Sequence, residues 1–449
     1  MFIFADDLSY ELVGGPLAEE VDTPNLDRLR AQGTSFSRAY NSGAWNGAVC
    51  VASRAMLMSG LQLWRAKEAE KRFEPDFVAK GRFWPQLLEK GGYATYMTGK
   101  WHVKAPVEKA FRQVKNPRPG MPGTVPAAYE RDRQDESWRA DDPTLGGFWK
   151  GGRHWSEVEA DTAVDFIAAA TKQEQPYFLY LAFNAPHDPR QAPTEFLAKY
   201  PPNTIKVPRT FLPVYPYREE MGAPHRLRDE KLAPMPRTKE AVQVHRAEYY
   251  ALISHLDAQI GRVLDAVEQG GRAKNTYLVF TADHGLAVGN HGLLGKQNMY
   301  EHSVRVPFIV KGPGCEAGKV VAGPIYLQDI VPTSLEWAGV SMPEEMDFTS
   351  FSAQLTSSGE KDSEQAIFGS YLDRQRSVTQ DGYKLILYPK ARVARLFHLT
   401  EDPFEMTDLL AAGHEKERAQ ALLEKLRVLQ KKYGDPLHLE DFANWNLSK

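Results

Sequence analysis

The chain has 449 residues, with 55 Lys+Arg against 58 Asp+Glu and a formal charge of −3. At 42 % hydrophobic and 25 % charged it can bury a sizeable core, which excludes wholesale disorder, and the near balance of charge argues against a dedicated nucleic-acid binder. Two cysteines, Cys50 and Cys315, exclude a disulfide scaffold, and no apolar run reaches the length of a membrane span.

The first apolar run, Phe2–Ala5, reads as a strand. A strand at the start of a chain is either an edge strand or the remnant of a shortened N-terminus, and the acidic pair Asp6-Asp7 directly after it favours the second. No signal-peptide pattern precedes Phe2. A helix is predicted over Thr23–Gln32 behind the start signal Asp22-Thr23-Pro24, and another begins at Ala55-Met56-Leu57-Met58. Phe83–Lys90 is a short helix ending at Gly91-Gly92, and Tyr93–Thr98 is the next strand. Arg112–Trp155, rich in Pro, Gly and charge, reads as irregular. Then come an amphipathic helix (Ser156–Thr171), a strand (Tyr177–Phe183), a Pro-rich irregular stretch (Pro201–Pro236) and the longest helix (Thr238–Gln269). Thr276–Thr281 and Val306–Lys311 complete the strands of a parallel sheet between helices, an α/β layered fold.

Beyond Pro332 the character changes. Phe348–Gln365 reads as a Ser-rich linker. Ile367–Leu372, Ser377–Thr379, Tyr383–Tyr388 and Arg395–Leu399 read as short antiparallel strands, and Ala411–Tyr433 as a terminal helix. The expected division is a large domain over 1–347 and a smaller α+β subdomain over 348–449.

Four predicted strands end in polar clusters: Asp6-Asp7, Gly99-Lys100-Trp101-His102, Asn184-Ala185-Pro186-His187-Asp188-Pro189 and Ala282-Asp283-His284-Gly285. Ligands of open α/β sheets bind beyond the C-terminal strand ends, so four such clusters point to one shared site. Asp6, Asp7 and Asp283 repel one another unless a cation neutralises them, and oxygen donors favour Ca²⁺ or Mg²⁺. Cys50-Val51-Ala52-Ser53-Arg54 precedes a helix, where backbone N–H groups and Arg54 make an anion site. There Cys50 is either a buried inert thiol or a nucleophile. Arg190 reads as half of a surface ion pair, and His245 has no spacing that suggests a ligand.

The segment Cys50–Arg54 resembles the Cys/Ser-x-Pro-x-Arg signature of the formylglycine-dependent (type I) sulfatases, a branch of the alkaline phosphatase superfamily. The likeness extends to Phe4-Ala5-Asp6-Asp7-Leu8, Thr98-Gly99-Lys100-Trp101-His102, Ala185-Pro186-His187 and Thr281-Ala282-Asp283-His284-Gly285. It continues through His291-Gly292-Leu293-Leu294-Gly295-Lys296, Arg305-Val306-Pro307, Gly382-Tyr383-Lys384-Leu385 and Asp402-Pro403-Phe404-Glu405, in order over nearly the whole chain. Ala52 stands where the signature has Pro.

The resemblance implies an alkaline-phosphatase-like core and hydrolysis of sulfate esters. Cys50 would be oxidised by the formylglycine-generating enzyme to an aldehyde whose hydrate attacks sulfur. Asp6, Asp7, Asp283 and His284 would hold Ca²⁺, with Mg²⁺ or Mn²⁺ as alternatives. Arg54 would steady the nucleophile, Lys100 and Lys296 would bind sulfate oxygens, His102 would take the proton that releases sulfate, and His187 with Lys296 would protonate the leaving alcohol. His187-Asp188-Pro189-Arg190 and the loop after it are similar to sugar-sulfate-cleaving, iduronate-sulfatase-like members, which implies a sulfated carbohydrate substrate. Export to the periplasm or outside the cell follows from the same resemblance. The rival readings are a phosphodiesterase or phosphonate monoester hydrolase of the superfamily and, if Cys50 stays a thiol, a non-catalytic sulfoglycan-binding protein.

Overall fold

A computed structural model describes residues 1–131, 138–356, 365–439 and 445. Its main sheet has eight strands: β1 (Phe2–Ala5), β2 (Thr34–Phe36), β3 (Ala94–Lys100), β4 (Gln113–Arg118), β5 (Tyr177–Ala182), β6 (Leu278–Ala282), β7 (Phe308–Lys311) and β8 (Val320–Val321). Their spatial order is β8-β2-β7-β6-β1-β5-β3-β4. β6, β1, β5, β3 and β4 run parallel. β7 is antiparallel to β6 and β2, which corrects the parallel reading of that run. A parallel neighbour needs a long crossover, usually a helix that packs on the sheet. The connection from Asp283 to Pro307 has a four-residue helix, Glu301–Val304, as its longest helical element.

β1 is a central strand and not an edge: Phe2 lies opposite Val279 on one side and Tyr180 on the other. Alternation along the strands sends Phe2 and Tyr180 to one face, where Phe2 meets Trp84 edge-on at 5.1 Å. Tyr96 meets Phe166 on the other. Both faces are therefore apolar and covered. Helices α1 (Pro24–Gln32), α2 (Val49–Ser59), α3 (Trp84–Lys90), α4 (Trp155–Ala170), α5 (Lys239–Gln269) and α6 (Ile330–Trp337) supply the cover. α1 and α4 both pack on α5, while α2 and α6 both pack on α3. α5 is capped by Thr238, whose hydroxyl accepts from Ala241 N at 3.1 Å.

The second sheet is an antiparallel meander of β9 (Ile367–Tyr371), β10 (Gln375–Gln380), β11 (Tyr383–Tyr388) and β12 (Val393–His398), packed under α7 (Lys416–Tyr433). Two residues from far upstream, Gly43–Ala44, add a parallel strand to β9. The meander thus abuts the segment that leads into α2. Residues 132–137 of the irregular stretch Arg112–Trp155 and residues 357–364 of the linker Phe348–Gln365 lie outside the described residues. Among the described residues, no helix is long and apolar enough to cross a membrane.

Candidate active site

Because β1, β3, β5 and β6 are parallel and adjacent, their C-terminal ends open on one edge. Asp6 and Asp7 follow β1, Lys100 is the last residue of β3, His187 lies just beyond β5, and Asp283 and His284 follow β6. The ladder continues past the strands, with Asp6 N donating to Ala185 O and Asp283 N to Ala5 O, both at 3.1 Å. β3 reaches Lys100 through an irregularity between Met97 and Gly99. Gly99 has φ +92°, and a Cβ there would collide with the backbone oxygen of Ala182. Cys50 and Arg54 come from α2. The helix starts at Val49 and not at Ala55, so Cys50 sits in its first turn. Lys296 comes from the connection between β6 and β7.

The side chains interlock. Arg54, fully buried with its guanidinium 4.8 Å from the Phe4 ring centroid, donates to Lys100 O at 2.8 Å and to the Tyr180 hydroxyl at 3.4 Å. It pairs with Asp283 at 3.3 Å and with Asp6 at 3.5 Å. Lys100 pairs with Asp6, and Lys296 Nζ donates to both oxygens of Asp7 at 2.7 and 2.5 Å. His187 Nε2 is 3.4 Å from Asp7 Oδ2, and its Nδ1 is 2.7 Å from Asp188 O. A carbonyl only accepts, so Nδ1 carries the hydrogen and Nε2 is the atom turned to the site.

Asp6, Asp7 and Asp283 offer oxygens within 4.8 Å of one another, and Asp6, Cys50 and His187 form a second such group. The nucleophile candidate therefore lies between a carboxylate cluster and an imidazole. His284 is in none of these groups; its Nδ1 faces Gly285 O at 3.0 Å and its Nε2 is buried without a partner. His102, at φ +53°, lies across Gly120 with Nδ1 unpartnered.

Burial works against the charge on Asp6, but Lys100, His187, Arg54 and Lys296 hold it well below the usual carboxylate range. Burial pushes Asp7 well above that range and Asp283 up to about 6, and the neighbouring carboxylates add to both. Burial also raises the Cys50 thiol and lowers His187, and takes His102 and His284 down to about 3. Three cations (Arg54, Lys100 and Lys296) face three carboxylates, of which Asp6 is the one held firmly ionised. A divalent cation among the carboxylates would leave a surplus of positive charge for an anionic substrate.

Comparison with known proteins decides the family. A family model described as Sulfatase matches residues 1–340, and one described as N-sulphoglucosamine sulphohydrolase, C-terminal, matches residues 289–432. The chain belongs to the sulfatase family. This sulfatase, a sulfuric ester hydrolase of the alkaline phosphatase superfamily, is 27 % identical to arylsulfatase K of Xenopus laevis, over 95 % of its own length and 82 % of the relative's. It is 24 % identical to an arylsulfatase of Clostridium perfringens, over 97 % and 95 %. Among solved structures it is similar to BT4656, determined with its substrate D-glucosamine-2-N,6-O-disulfate (TM-score 0.73, 22 % identity, 97 % and 98 % covered). It is also similar to a phosphonate monoester hydrolase from Silicibacter pomeroyi (TM-score 0.75, 22 % identity, 96 % and 94 % covered). The family implies a metal ion and a formylglycine in general.

Several neighbours of the site were not singled out in the sequence. Tyr180, inside an apolar strand run, accepts from Arg54 through its hydroxyl oxygen. Asn41 donates to Asp283 O at 2.9 Å, and Tyr249 on α5 donates to Asp7 O at 2.5 Å. Arg190 is no surface residue: it is 2 % exposed and donates to His245 Nδ1 at 2.8 Å. A run of polar residues next to a strand end is the available signal for Asn41. Tyr180 and Tyr249 are indistinguishable in sequence from core tyrosines.

Proposed function

We propose that this sulfatase removes sulfate from a carbohydrate, with Cys50 matured to formylglycine and Ca²⁺ held by Asp6, Asp7, Asp283 and His284. The observation that carries this reading is the approach of Cys50, Asp6 and His187 to within 4.8 Å of one another beside the three-carboxylate cluster. The donors fit the metal: Asp6 Oδ1 and His284 Nε2 are buried without a hydrogen-bond partner, and carboxylate oxygens are hard ligands suited to Ca²⁺. The residue fits the modification too, since a buried thiol pushed upward in pKa is a poor nucleophile. When present, the metal supplies Lewis acidity and the aldehyde hydrate supplies an attacking hydroxyl.

The chain's own residues do the rest. Arg54, anchored on Lys100 O and Tyr180, fixes the nucleophile's turn. Lys100 and Lys296 place ammonium groups where charge builds on sulfate oxygens. His187 can give the leaving alcohol a proton only as the imidazolium, with Nε2 as well as Nδ1 protonated, and the Lys296 ammonium stands alongside as a second donor. His102, neutral at working pH, has a ring nitrogen free to accept the proton that accompanies sulfate release. The sugar-disulfate substrate of BT4656 and the match to the C-terminal model support a carbohydrate ester. The same reading assigns 1–347 as the catalytic domain and 348–449 as a subdomain, and places the enzyme in the periplasm or outside the cell.

The test is turnover of a sulfated disaccharide panel, a nitrophenyl sulfate and a phenylphosphonate monoester by the Ca²⁺-loaded protein, beside Cys50→Ala. The expected result is release of sulfate from at least one disaccharide, abolished in Cys50→Ala. Preferential cleavage of the phosphonate would favour the superfamily's phosphorus chemistry. Binding of the disaccharides without any turnover would favour a sulfoglycan-binding protein.

A further inference from the structure

The Pro-rich stretch before α5 contains one short turn of helix, Arg228–Leu232, and its residues reach the backs of the site residues. Arg228 pairs with Asp188 at 2.9 Å and also with Asp229. Asp188 in turn backs His187, whose Nδ1 lies 2.7 Å from its carbonyl and 3.5 Å from its carboxylate. Asp229 Oδ2 accepts from Gln297 Nε2 at 2.6 Å, and the same amide donates to Gly47 O at 3.0 Å, three residues before Cys50. Gln297 Oε1 accepts from Lys296 N at 3.1 Å. Glu230 accepts from Leu294 N at 3.1 Å and Gly295 N at 2.9 Å, and it is neutralised by Arg237. Behind the turn, His245 on α5 accepts from Arg190 of the His187 loop at 2.8 Å.

Asp188, Asp229, Glu230, Arg237, His245 and Gln297 are each 3 % exposed or less. Gly295 permits the approach, because a Cβ there would lie 2.8 Å from Asp229 Cβ and collide with Gln297 Oε1. Residues 228–232 thus touch, directly or through one side chain, the segments carrying His187, Lys296 and Cys50, while none of them joins the carboxylate cluster. On the reading above, His187 and Lys296 are the two groups that meet the leaving alcohol.

We propose that Arg228 and Asp229, with Glu230 and Gln297, are positioning residues that align His187 Nε2 and Lys296 Nζ on the leaving-group oxygen. This rests on the sulfatase assignment of those two side chains. Loss of alignment should appear where protonation of the leaving group matters. An alcohol of high pKa needs the proton in the transition state, whereas a nitrophenolate leaves without it.

The test compares phenyl sulfate with nitrophenyl sulfate in the Ca²⁺-loaded enzyme for wild type, Asp229→Asn, Asp229→Ala and Gly295→Ala, with a thermal melt of each. Asp229→Ala is expected to lower kcat on phenyl sulfate about tenfold or more and on nitrophenyl sulfate about threefold or less. Asp229→Asn, which keeps an acceptor for Gln297, should fall between Asp229→Ala and wild type. Gly295→Ala, which forces the turn away without altering its chemistry, should show the same dependence on the leaving group and serves if Asp229→Ala fails to fold. Equal losses on both esters, or no loss on either in a folded variant, would overturn the positioning role while the sulfatase assignment stood. A wild-type enzyme inactive on both aryl esters and on the sulfated disaccharides would overturn the assignment, and the positioning role with it.

Discussion

The site has two sides that are built by different means. On one side, β1, β3 and β6 deliver Asp6, Asp7, Lys100 and Asp283 directly from strand ends, so their spacing is set by sheet register and backbone hydrogen bonds. On the other, His187 and Lys296 sit on irregular connections and are held by side-chain contacts from the Arg228–Leu232 turn. Register fixes where charge sits to the tolerance of the sheet. Hydrogen-bonded loops fix which way a proton-carrying atom points. The first suits ion binding and the second suits proton transfer, which depends on alignment more steeply than on net charge.

That contrast can be broken from either side. The largest effect is expected on the strand side. Asp6→Ala leaves Lys100 and Arg54 buried beside an incomplete set of carboxylates, so chemical denaturation should show a loss of about 3–5 kcal/mol. Activity should fall by roughly 10³-fold or more, since on the proposed reading a metal ligand is lost as well. Gly99→Ala should come next, because φ +92° and the collision with Ala182 O force β3 to shift at Lys100. About 1–3 kcal/mol of stability should go, together with most of the activity. Ca²⁺ at a hundredfold excess over its dissociation constant should stabilise the chelator-treated protein by about 2.7 kcal/mol in thermal melts, and Asp283→Ala should abolish that gain.

The smallest effect lies outside both sides, at Glu11. Burial pushes Glu11 up to about 7 against the pull of Arg246, and Asn290 donates to it at 3.1 Å. Its folded pKa exceeds the unfolded value of 4.5, so its contribution is fully present below about 4.5 and is lost as pH rises through 7. Glu11→Gln, which keeps an acceptor for Asn290, should therefore flatten stability over that range. At pH 8 it should be more stable than wild type, by no more than the rise from 4.5 to about 7 allows, about 3 kcal/mol. A flat wild-type profile across this window would show that Glu11 stays charged throughout.

The strand side was largely legible in the sequence, because an apolar run that stops abruptly at Asp6-Asp7 or Asp283-His284 carries its own signal. The same patterning misplaced the start of α2. Its N-cap is Ala48, without a capping side chain, and the β-branched Val49 and Val51 hide the first turn. β4 escaped notice because Gln113–Arg118 has no apolar run and contains Pro117, as befits an edge strand. The Arg228–Leu232 turn was illegible for a deeper reason. Its partners are Asp188, Leu294 and Gln297, the last two more than sixty residues away in sequence, and no local period encodes such contacts. Arg190 looked like surface because charged residues usually are. It is buried because His245, on the long helix α5, meets it from behind.

Everything chemical in this reading passes through Cys50, in a segment where Ala52 replaces the proline of the family signature. Mass spectrometry of the tryptic peptide 39–54, from protein made in its native host and treated with an aldehyde-reactive tag, tests that point directly. An aldehyde or its hydrate at Cys50 is the expected result. A fully alkylatable thiol there, in protein that nonetheless binds sulfated sugars, would contradict the proposed mechanism and leave a binding protein in its place.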